Sequence, residues 1–457
     1  MSRVFLLSTN ISIEPYPVYP LGMAIIAGAL AAAGHEVSQY DFLAAGESEQ
    51  ALAEAVANFC PDVICLSLRN IDNVDSFAME DAWYLAQAKE MLAVVRSKSV
   101  APVVVGGSAF TIMPEAILEY IGAEYGVVGE GEKIICSIIA DLSLGKKVPR
   151  LSDAQTVPLT AEQMGSPCYD RDILAYYHEE SGQINLQTKR GCPHQCVYCT
   201  YPSLEGNRFR PQDFGAVVDD IEQVQRDFGI SSFFFTDSVF NDAKGYYLQF
   251  TEELSRRNLG ITWTGFFRPQ GLGREELQLM KRSGLYAVEL GTDAGCDATL
   301  QGLQKGFTFA DVLKVNKACI AEKIPAAHYV MFGGPDETYE TVTEGLHNIE
   351  QIDINVVFAF SGLRILPGTE LHQRAIAEKI VAADNSLLMP AYYFSPHIEV
   401  EKMNEMILAT FKKRREWIFP PSEGQKRLTV MRKFGYRGLL WDTLVSYKKG
   451  RPRGLKG

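Results

Sequence analysis

Three closely spaced cysteines are the residues of this chain whose chemistry is clearest. Cys192, Cys196 and Cys199 lie in the segment Lys189-Arg-Gly-Cys-Pro-His-Gln-Cys-Val-Tyr-Cys-Thr200 and have C-x3-C-x2-C spacing. Thiolates favour iron–sulfur clusters or zinc, and such sites usually take a fourth protein ligand. No fourth cysteine lies nearby in the sequence, so a cubane bound here would leave one iron open. The spacing predicts a metal cluster; a zinc knuckle completed by His194 is the alternative.

The composition predicts a soluble protein of two or three domains. Of the 457 residues, 47% are hydrophobic and 22% are charged, which is an ordinary balance for a globular protein. No apolar run reaches the roughly 18 residues that a membrane span requires. The odd number of cysteines, nine, and the lack of a signal-peptide pattern favour a reducing, cytoplasmic environment over a disulfide framework.

Residues 1–145 alternate short apolar runs with helical patterns. The runs predict buried parallel strands and the segments between them predict helices. The predicted strands are 4–8, 37–40, 63–68, 103–105 and 125–128. The predicted helices are 21–33, 47–59, 81–96, 114–121 and 133–142. Five strands that alternate with helices make a doubly wound, Rossmann-like sheet.

Ligands bind such a sheet at the carboxyl ends of its strands, where four loops of this chain are distinctive. Glycines in these loops let the backbone approach a ligand and direct helix N-termini towards polar groups. There is no G-x-G-x-x-G after the first strand, so a nicotinamide-binding fingerprint is not indicated. The residues expected to contact a cofactor here are Leu21, Gly22, Ser67, Arg69, Asn70, Gly106, Gly107, Ser108, Gly129, Glu130 and Gly131.

A second alternation of strands and helices follows a polar, proline-containing linker at residues 146–183. Its predicted strands are 185–188, 233–237, 262–268, 287–291, 326–332 and 356–365. Six strands with helices between them suit a partial barrel that is open on one side. In barrels of this kind the chemistry lies at the carboxyl ends of the strands. The cysteine segment follows the first of these strands and therefore obeys that rule.

The cysteine segment closely resembles the motif of the radical SAM superfamily. In that family S-adenosylmethionine occupies the open iron through its amino and carboxylate groups, and the aromatic residue before the third cysteine, here Tyr198, contacts the adenine. Residues 1–145 resemble the cobalamin-binding domain that precedes the radical SAM domain in one large subfamily. The shared features are Pro20-Leu-Gly22, Gly34-His-Glu-Val37, Gly106-Gly107 and Gly129-Glu-Gly-Glu132. A Rossmann-like domain that has lost its ligand is the alternative.

The resemblance implies an α/β protein with four parts. These are a Rossmann-like cobalamin-binding domain at residues 1–145, a linker at 146–183, a partial (β/α)6 radical SAM barrel at 184–376 and a helical, basic region at 377–457. The resemblance also implies S-adenosylmethionine contacts from Asp293 and from Arg364, whose guanidinium fork is expected to clamp a carboxylate. Asp237, at the end of the second barrel strand, is expected to face that ligand or the substrate. For each of them, capping of a local turn is the alternative.

Arg69 follows the third strand of the first domain, where the corrin ring of a bound cobalamin is expected. The chain has no D-x-H-x-x-G loop, and His35, the only histidine of that domain, lies in a helix-to-strand turn. Cobalt is therefore expected to lack a histidine ligand on its lower face. We expect Arg69 to approach that face as a cation that disfavours higher-valent cobalt and promotes methyl transfer. An ion pair with Asp72 or Asp75 is the alternative.

The family resemblance implies a cobalamin-dependent radical SAM methyltransferase, a transferase of class EC 2.1.1. A [4Fe-4S] cluster would cleave S-adenosylmethionine to a 5′-deoxyadenosyl radical that takes hydrogen from an unactivated carbon, which methylcobalamin then methylates. General acid–base catalysis contributes only about 10²–10⁴ in rate, so the cofactors must carry this step. A non-methylating rearrangement or oxidative cyclisation and a non-catalytic cobalamin sensor are the alternatives. An electron donor such as flavodoxin or ferredoxin is also implied.

The last 47 residues are basic, although the chain as a whole has a net charge of −12. They carry 14 lysines and arginines against three acidic residues. Apolar residues recur among the charges at Leu428, Met431, Leu439, Leu440, Trp441, Leu444 and Val445. The pattern resembles an interfacial helix on an anionic membrane, which suggests a lipid or isoprenoid substrate. A helical cap whose basic face pairs with the acidic body is the alternative. The acidic overall charge argues against nucleic acid as a partner.

Overall fold

The computed structural model describes residues 1–13, 16–77, 83–436 and Val445. The chain divides into two compact units. The first contains Met1–Ser238 and Leu363–Tyr393, and the second contains Val239–Gly362 and Phe394–Gly457. In the described part of the chain, no helix combines the length and the apolar character that a membrane crossing requires.

The first unit contains a six-stranded parallel sheet. Its strands are β1 (Arg3–Ser8), β2 (Glu36–Asp41), β3 (Val63–Ser67), β4 (Val103–Gly106), β5 (Tyr125–Val128) and β6 (Leu151–Asp153). They lie in the order β2-β1-β3-β4-β5-β6, and every neighbouring pair is parallel. The connecting helices are α1 (Leu21–Ala32), α2 (Glu49–Phe59), α3 (Tyr84–Arg96), α4 (Ser108–Ile112), α5 (Pro114–Ile121) and α6 (Glu132–Ser143).

Apolar composition explains why the predicted segments form the centre of this sheet. Phe5 lies opposite Ile64 on β3, and Ile64 lies opposite Val103 on β4; all three side chains are buried. A parallel sheet that helices cover on both faces requires such continuously apolar strands. Helix α2 begins after Ser48, whose hydroxyl accepts a hydrogen bond from the Ala51 N–H (3.2 Å) and so caps the helix. The five predicted strands of the first domain are confirmed.

The predicted linker contains regular structure that the sequence analysis missed. Within it, β6 pairs with β5, with Leu151 opposite Gly126. Helix α7 (Arg171–Ser181) follows, and the Asp170 carboxylate caps its first turn. A strand of three residues carries too little apolar pattern to be recognised in the sequence. The domain boundaries given above remain predictions.

The rest of the first unit up to residue 238 contains short strands and helices. These are β7 (Ile184–Leu186), β8 (Lys189–Arg190), α8 (Tyr201–Glu205), β9 (Arg210–Pro211), α9 (Phe214–Phe228) and β10 (Ser232–Phe235). The three cysteines lie between β8 and α8. Strand β7 pairs with β10 in parallel. Strands β8 and β9 are antiparallel and place Arg190 opposite Arg210.

The following residues continue the alternation of helices and strands. To residue 362 the elements are α10 (Tyr246–Arg257), β11 (Thr262–Phe267), α11 (Arg274–Arg282), β12 (Val288–Asp293), α12 (Asp297–Gly302), α13 (Phe309–Glu322), β13 (Ala326–Phe332), α14 (Tyr339–Ile349) and β14 (Val356–Ser361). Then follow β15 (Leu363–Arg364), α15 (Glu370–Ala377), β16 (Tyr392–Tyr393), α16 (Val400–Phe411), β17 (Trp417–Ile418) and α17 (Pro421–Lys433). Strands β17, β14, β13, β12 and β11 of the second unit lie side by side in that order, all parallel.

The last predicted strand, at residues 356–365, is wrong in its extent. Strand β14 ends at Ser361, because Gly362 adopts a positive φ of 76°, and a Cβ atom there would meet the Phe394 ring at 2.5 Å. Leu363 and Arg364 instead form β15, which is antiparallel to β16. The other five predicted strands of the second alternation agree with the structure to within a few residues.

The C-terminal tail is described only in part. About half of the apolar and basic residues that predicted an interfacial helix, including Leu439, Leu440, Trp441, Leu444 and the basic residues from 437 onward, lie outside the described residues. Val445 is buried against Ala327, Val356 and Ile418 of the second unit. This packing favours the cap over the membrane-bound helix for that one residue. Contact with a membrane remains a prediction.

His328 is a buried histidine in β13 whose neighbours hold it neutral. Its Nε2 lies 3.1 Å from the Asn316 side-chain oxygen and its Nδ1 lies 2.8 Å from the Thr292 hydroxyl. Because an amide oxygen only accepts, Nε2 must carry the proton, and Nδ1 then accepts from Thr292. Burial lowers the pKa of His328 to about 3. The folded state therefore resists a proton that the unfolded chain binds near pH 6.5.

We expect His328 to make the protein less stable in mild acid. Stability is full above about pH 6.5 and is lost as the pH falls towards the lowered pKa, by about 2 kcal/mol at pH 5. Denaturant unfolding followed by the fluorescence of buried Trp263 and Trp417 measures this loss. His328→Gln should remove most of the pH dependence, whereas His347→Gln, at a side chain that is 76% exposed, should not. An equal pH dependence in both variants would contradict the assignment.

Candidate active site

The three cysteines lie on one loop between β8 and α8. Cys192 is buried and the other two are partly exposed. The Cys199 N–H donates to the Cys196 carbonyl oxygen (3.1 Å), which closes a tight turn, and the Cys192 N–H donates to the Gly206 carbonyl oxygen (3.0 Å). No disulfide joins any of the nine cysteines, all of which lie in the described part of the chain. The loop thus presents three thiols within eight residues on a hydrogen-bonded backbone.

Glycine is required immediately before the first cysteine. Gly191 has a φ of 85°, and a Cβ atom there would lie 2.1 Å from the Arg208 carbonyl oxygen. Its N–H donates to the Glu205 carboxylate (3.0 Å), and its carbonyl oxygen accepts from the Ser238 hydroxyl (2.8 Å). Burial raises the pKa of Glu205, although the Gly191 N–H and the Gln187 side chain both donate to it. The start of the loop is therefore fixed by α8 and by the residue that follows β10.

Asp237, predicted to bind S-adenosylmethionine, instead holds the base of the cysteine loop. Its carboxylate accepts hydrogen bonds from the Thr188 N–H (2.7 Å) and the Thr188 hydroxyl (2.5 Å), and it pairs with the Lys189 ammonium (2.8 Å). The exposed fractions of the Lys189 and Asp237 side chains are 1% and 0%. A carboxylate so enclosed has little capacity left for a ligand. We withdraw the cofactor contact and assign Asp237 a positioning role.

Arg190 is the centre of a second buried ionic group. Its Nη1 donates to Glu130 (3.0 Å), its Nη2 to Glu132 (2.6 Å) and its Nε to the Gln187 side chain (3.2 Å). Burial would lower the pKa of Arg190, but the charges of Glu132 and Glu130 outweigh it and raise that pKa. A guanidinium fork bound to two carboxylates is held in one orientation. This arrangement fixes the backbone two residues before Cys192.

Glu130, predicted to contact cobalamin, also lies in this group. Besides Arg190 it accepts two hydrogen bonds from Arg210 (2.8 and 2.9 Å) and one from the Leu159 N–H (3.0 Å). Burial would raise the pKa of Glu130, but the hydrogen bonds from Arg210 and the charge of Arg190 lower it overall. With both carboxylate oxygens occupied, Glu130 serves as an anchor, and we withdraw it from the cobalamin contacts.

Arg364, the third residue predicted to bind S-adenosylmethionine, is likewise engaged elsewhere. It is 4% exposed, and its guanidinium pairs with Asp72 (2.8 Å) and donates to the carbonyl oxygens of Ile365 (2.6 Å) and Leu387 (2.9 Å). It therefore joins the loop after β3 to residues 363–393, and the prediction of a carboxylate clamp is withdrawn. The same segment meets the cysteine loop where the Leu371 N–H donates to the Val197 carbonyl oxygen (2.8 Å).

The predicted cobalamin contacts lie along the carboxyl edge of the six-stranded sheet. Leu21 and Gly22 begin α1, Ser67 ends β3, and the other loops follow β4 and β5. Backbone bonds join these loops: the Leu68 N–H donates to the Gly106 carbonyl oxygen (2.9 Å). A Cβ atom on Gly107, whose φ is 106°, would lie 2.3 Å from the Leu68 carbonyl oxygen. The sheet changes its winding direction between β1 and β3, where ligands of such folds bind.

Arg69 lies at this edge without the predicted acidic partner. Its guanidinium donates to the Val18 carbonyl oxygen (3.0 Å) and to the Asn70 side chain (3.3 Å), and the Ser108 hydroxyl donates to its carbonyl oxygen (2.7 Å). Asp72, the predicted alternative partner, pairs with Arg364 instead. Burial lowers the pKa of Arg69, although an arginine remains a cation in proteins.

Asp293 belongs to the second unit and has an unusual backbone. It ends β12 after an irregularity in the pairing with β13 and has a φ of 61°. Its carboxylate pairs with the Lys305 ammonium, and both side chains are largely buried. The contact of Asp293 with S-adenosylmethionine remains a prediction.

The turn that precedes α14 contains another enclosed carboxylate, Glu337. Burial raises the pKa of Glu337 to about 7, although its carboxylate accepts hydrogen bonds from the N–H groups of Gly333 and Gly334.

Two family models match this chain in succession. One describes a B12 binding domain and covers residues 14–139; the other describes the radical SAM superfamily and covers residues 186–348. The chain therefore carries a B12 binding domain followed by a radical SAM domain. The resemblance, the predicted fold class and, at the level of the family, the predicted cofactors are thereby confirmed.

Known relatives of this B12-binding radical SAM protein include methyltransferases and a cyclase. It is 27% identical to a tryptophan 2-C-methyltransferase of Streptomyces laurentii over 77% of this chain and 71% of the relative. It is 26% identical to an anaerobic magnesium-protoporphyrin IX monomethyl ester cyclase of Synechocystis over 63% of this chain and 59% of the relative. The radical S-adenosylmethionine methyltransferase TsrM of Kitasatospora setae, solved with cobalamin and a [4Fe-4S] cluster bound, superposes at a TM-score of 0.84. That match has 25% identity and covers 97% of each chain, and TsrM has also been solved with tryptophan and an analogue of S-adenosylmethionine.

The donors on the cysteine loop fit an iron–sulfur cluster. Among the described residues, no three histidine, cysteine, aspartate or glutamate side chains lie close enough to hold one metal ion. That finding concerns a mononuclear site, because the thiolates of a cubane each bind a different iron. His194, the predicted fourth zinc ligand, packs its ring edge-on against Phe209 at 6.2 Å, which gives the zinc knuckle no support.

Sequence reasoning missed the side chains that hold the loop. Lys189 and Arg190 stand directly before the cysteine motif, yet a basic pair in a loop usually indicates a solvated surface. The signal that was available is their position between an apolar strand and the cysteine motif, because a charge that is buried there requires an oppositely charged partner. Nothing in the spacing of Glu130, Glu132 or Asp237 indicates that they supply those partners.

We expect Gly191→Ala to prevent cluster assembly. The substitution adds left-handed strain of about 1–2 kcal/mol and an overlap with the Arg208 carbonyl oxygen. Gly206→Ala is the matched control, because Gly206 has a similar φ of 88° but a Cβ atom there would meet nothing within 4 Å. Iron and sulfide per chain after anaerobic reconstitution should fall sharply in the first variant and stay near the wild-type content in the second. Equal contents would show that the loop does not depend on Gly191.

Proposed function

We propose that this protein is a cobalamin-dependent radical SAM methyltransferase that methylates an unactivated carbon. The observation that carries the proposal is the placement of a three-cysteine loop and the carboxyl edge of a B12-binding sheet within one compact unit. When bound, the cofactors would supply cleavage of S-adenosylmethionine to a 5′-deoxyadenosyl radical, hydrogen abstraction from the substrate and methyl transfer from cobalamin.

The residues of the chain supply binding and orientation in this proposal. Cys192, Cys196 and Cys199 hold the cluster, with one iron left for S-adenosylmethionine. Tyr198 contacts its adenine, and Asp293 contacts its ribose hydroxyls or amino group. The cobalamin contacts come from Leu21, Gly22, Ser67, Arg69, Asn70, Gly106, Gly107, Ser108, Gly129 and Gly131. A one-electron donor such as flavodoxin or ferredoxin reduces the cluster.

Arg69 is proposed to face the lower side of cobalt. A cation there donates no lone pair and opposes an increase of positive charge on the metal, which favours release of a methyl group. The Asp41 carboxyl, at the end of β2, opposes the positive potential of Arg69 when it is ionised. Burial raises the pKa of Asp41, while hydrogen bonds from Ser8, Ala44 and Tyr177 and the charge of Arg69 act to lower it.

Radical cyclisation without methyl transfer is the second candidate. The similarity to a cyclase named above, over 63% of this chain, favours it over other non-methylating reactions. The products separate the two candidates, because a methyltransferase forms S-adenosylhomocysteine and adds one carbon to its substrate. A cyclase would do neither.

We expect the reconstituted protein to form both 5′-deoxyadenosine and S-adenosylhomocysteine. The assay combines anaerobic protein that carries cluster and cobalamin with S-adenosylmethionine and a chemical reductant, and mass spectrometry measures both nucleosides. Cys192→Ala should abolish both products, because cluster assembly fails. Cys168→Ala, at an exposed cysteine outside the loop, should retain them. 5′-Deoxyadenosine alone would favour the cyclase, and the absence of both products from the wild type would favour a cobalamin sensor.

Cobalt coordination tests the position of Arg69. Electron paramagnetic resonance of cob(II)alamin bound to ¹⁵N-labelled protein should show no splitting from a protein nitrogen, because a protonated guanidinium has no lone pair to donate. Arg69→His should introduce such a splitting, because imidazole donates a lone pair. Asn70→His is the control one residue away and should not. A splitting from a protein nitrogen in the wild type, or such a splitting in the Asn70 variant alone, would contradict the assignment.

A further inference from the structure

The buried ionic group around Arg190 connects the two predicted cofactor sites. Arg190 precedes the cluster cysteine Cys192 by two residues, whereas its partners Glu130 and Glu132 follow β5 of the B12-binding sheet. All three side chains are less than one tenth exposed. The group thus spans from the loop that would hold iron to the edge that would hold cobalamin, within the first unit.

Hydrogen bonds extend this connection along the edge of the sheet. The Gly129 N–H, next to Glu130, donates to the Thr111 hydroxyl (3.0 Å), and that hydroxyl donates to the Gly107 carbonyl oxygen (3.0 Å). Gly107 and Gly129 are both proposed cobalamin contacts with positive φ angles. A displacement of either loop by a ligand therefore acts on the turn that carries Glu130 and Glu132.

Burial makes this group sensitive to small displacements. A buried guanidinium that loses one carboxylate is strongly destabilised, because the remaining charge lacks compensation. Glu130 and Glu132 must hence move together with Arg190 and not separately from it. On the other side, Arg210 holds Glu130 through two hydrogen bonds and bonds the carbonyl oxygens of Leu159 (2.7 Å) and Glu205 (2.7 Å).

We propose that Arg190 is a positioning residue that couples cobalamin binding to the geometry of the cluster loop. Contact of cobalamin with Gly129 displaces the Gly129–Glu132 turn, and the ion pairs of Glu130 and Glu132 with Arg190 transmit that displacement to the backbone that enters Cys192. Coupling of this kind is reciprocal, so an assembled cluster also increases the affinity for cobalamin by the same factor. The inference rests on the two cofactor assignments of the proposed function but not on methyl transfer.

Binding of hydroxocobalamin to the full chain tests the coupling. Equilibrium dialysis under anaerobic conditions gives the Kd of protein with a reconstituted cluster and of the same protein before reconstitution. For the wild type we expect the cluster to tighten cobalamin binding by about 5-fold or more, the lower range of measured couplings. In Arg190→Lys, which keeps the charge but cannot reach two carboxylates through one fork, the ratio of the two Kd values should approach one.

Two further variants show whether a loss of coupling could come from misfolding of the protein. Glu132→Gln preserves shape and an acceptor oxygen but removes one charge from Arg190, so the coupling should fall while circular dichroism and the Kd of the cluster-free protein stay unchanged. Glu36→Gln is the control; it removes an ion pair with Arg3 (3.1 Å) at the opposite, amino-terminal end of β2, where both side chains are at least 40% exposed. It should leave the coupling intact.

The outcomes separate this inference from the proposed function. If cluster and cobalamin both bind but the wild-type ratio is one, or if Arg190→Lys and Glu132→Gln keep the wild-type ratio, the coupling is refuted and the proposed function stands. If neither cofactor binds to the wild type, both are refuted. A second readout is the electron paramagnetic resonance spectrum of the reduced cluster with cobalamin held in a diamagnetic state, which causes no spin–spin broadening: cobalamin should shift the g values of the cluster in the wild type and not in the Arg190 variant.

Discussion

Buried charges must be compensated, and two consecutive ones, Lys189 and Arg190, determine how the cysteine loop is held. Lys189 forms an ion pair with Asp237, which follows β10, and Arg190 forms ion pairs with Glu130 and Glu132, which follow β5. Because leaving either cation without its carboxylate costs several kcal/mol, the polypeptide that enters Cys192 has one low-energy path. The three thiols consequently meet a cluster on a prearranged backbone. Because their carboxylates are already bound by protein donors, the ion pairs position the cysteine loop and leave no carboxylate oxygen for a cofactor.

The shared direction of the parallel strands positions the loops that are proposed to bind cobalamin. Loops that follow β1, β3, β4 and β5 meet at one edge of the sheet because all six strands run in the same direction. Glycines at the points of closest approach, above all Gly107, let neighbouring loops touch through their backbones. Arg69 is held at this edge by the Val18 carbonyl oxygen and the Asn70 side chain, whereas the acidic residue nearest to it in sequence, Asp72, is bound by Arg364. A cation that forms no ion pair with the described carboxylates is an unusual feature for a structural loop, and it is what makes Arg69 a candidate for chemistry.

Local patterns in the sequence predicted most of the fold and the metal-binding loop. The valine and isoleucine runs of β3 and β4 and the cysteine spacing are local signals, and each was interpreted correctly at the level of the family. Long-range pairing was not predictable: Asp237, Glu130 and Arg364 were expected to bind cofactors because they follow strands, yet each is bound to a partner distant in sequence. A carboxylate at the end of a strand looks the same in sequence whether it faces a ligand or an arginine. Strand β6 was not predicted, because a segment of three residues is too short to show the alternation of apolar and polar residues that indicates a strand.

The most direct test of the central claim, that the first unit holds both metal cofactors in one site, is their magnetic interaction. Protein that carries the cluster and cob(II)alamin would be reduced by one electron at the cluster, and electron paramagnetic resonance would be recorded with each centre paramagnetic alone and with both together. We predict that the spectrum of the doubly paramagnetic protein is broadened or split by spin–spin coupling. A spectrum equal to the sum of the two separate signals would contradict a shared site.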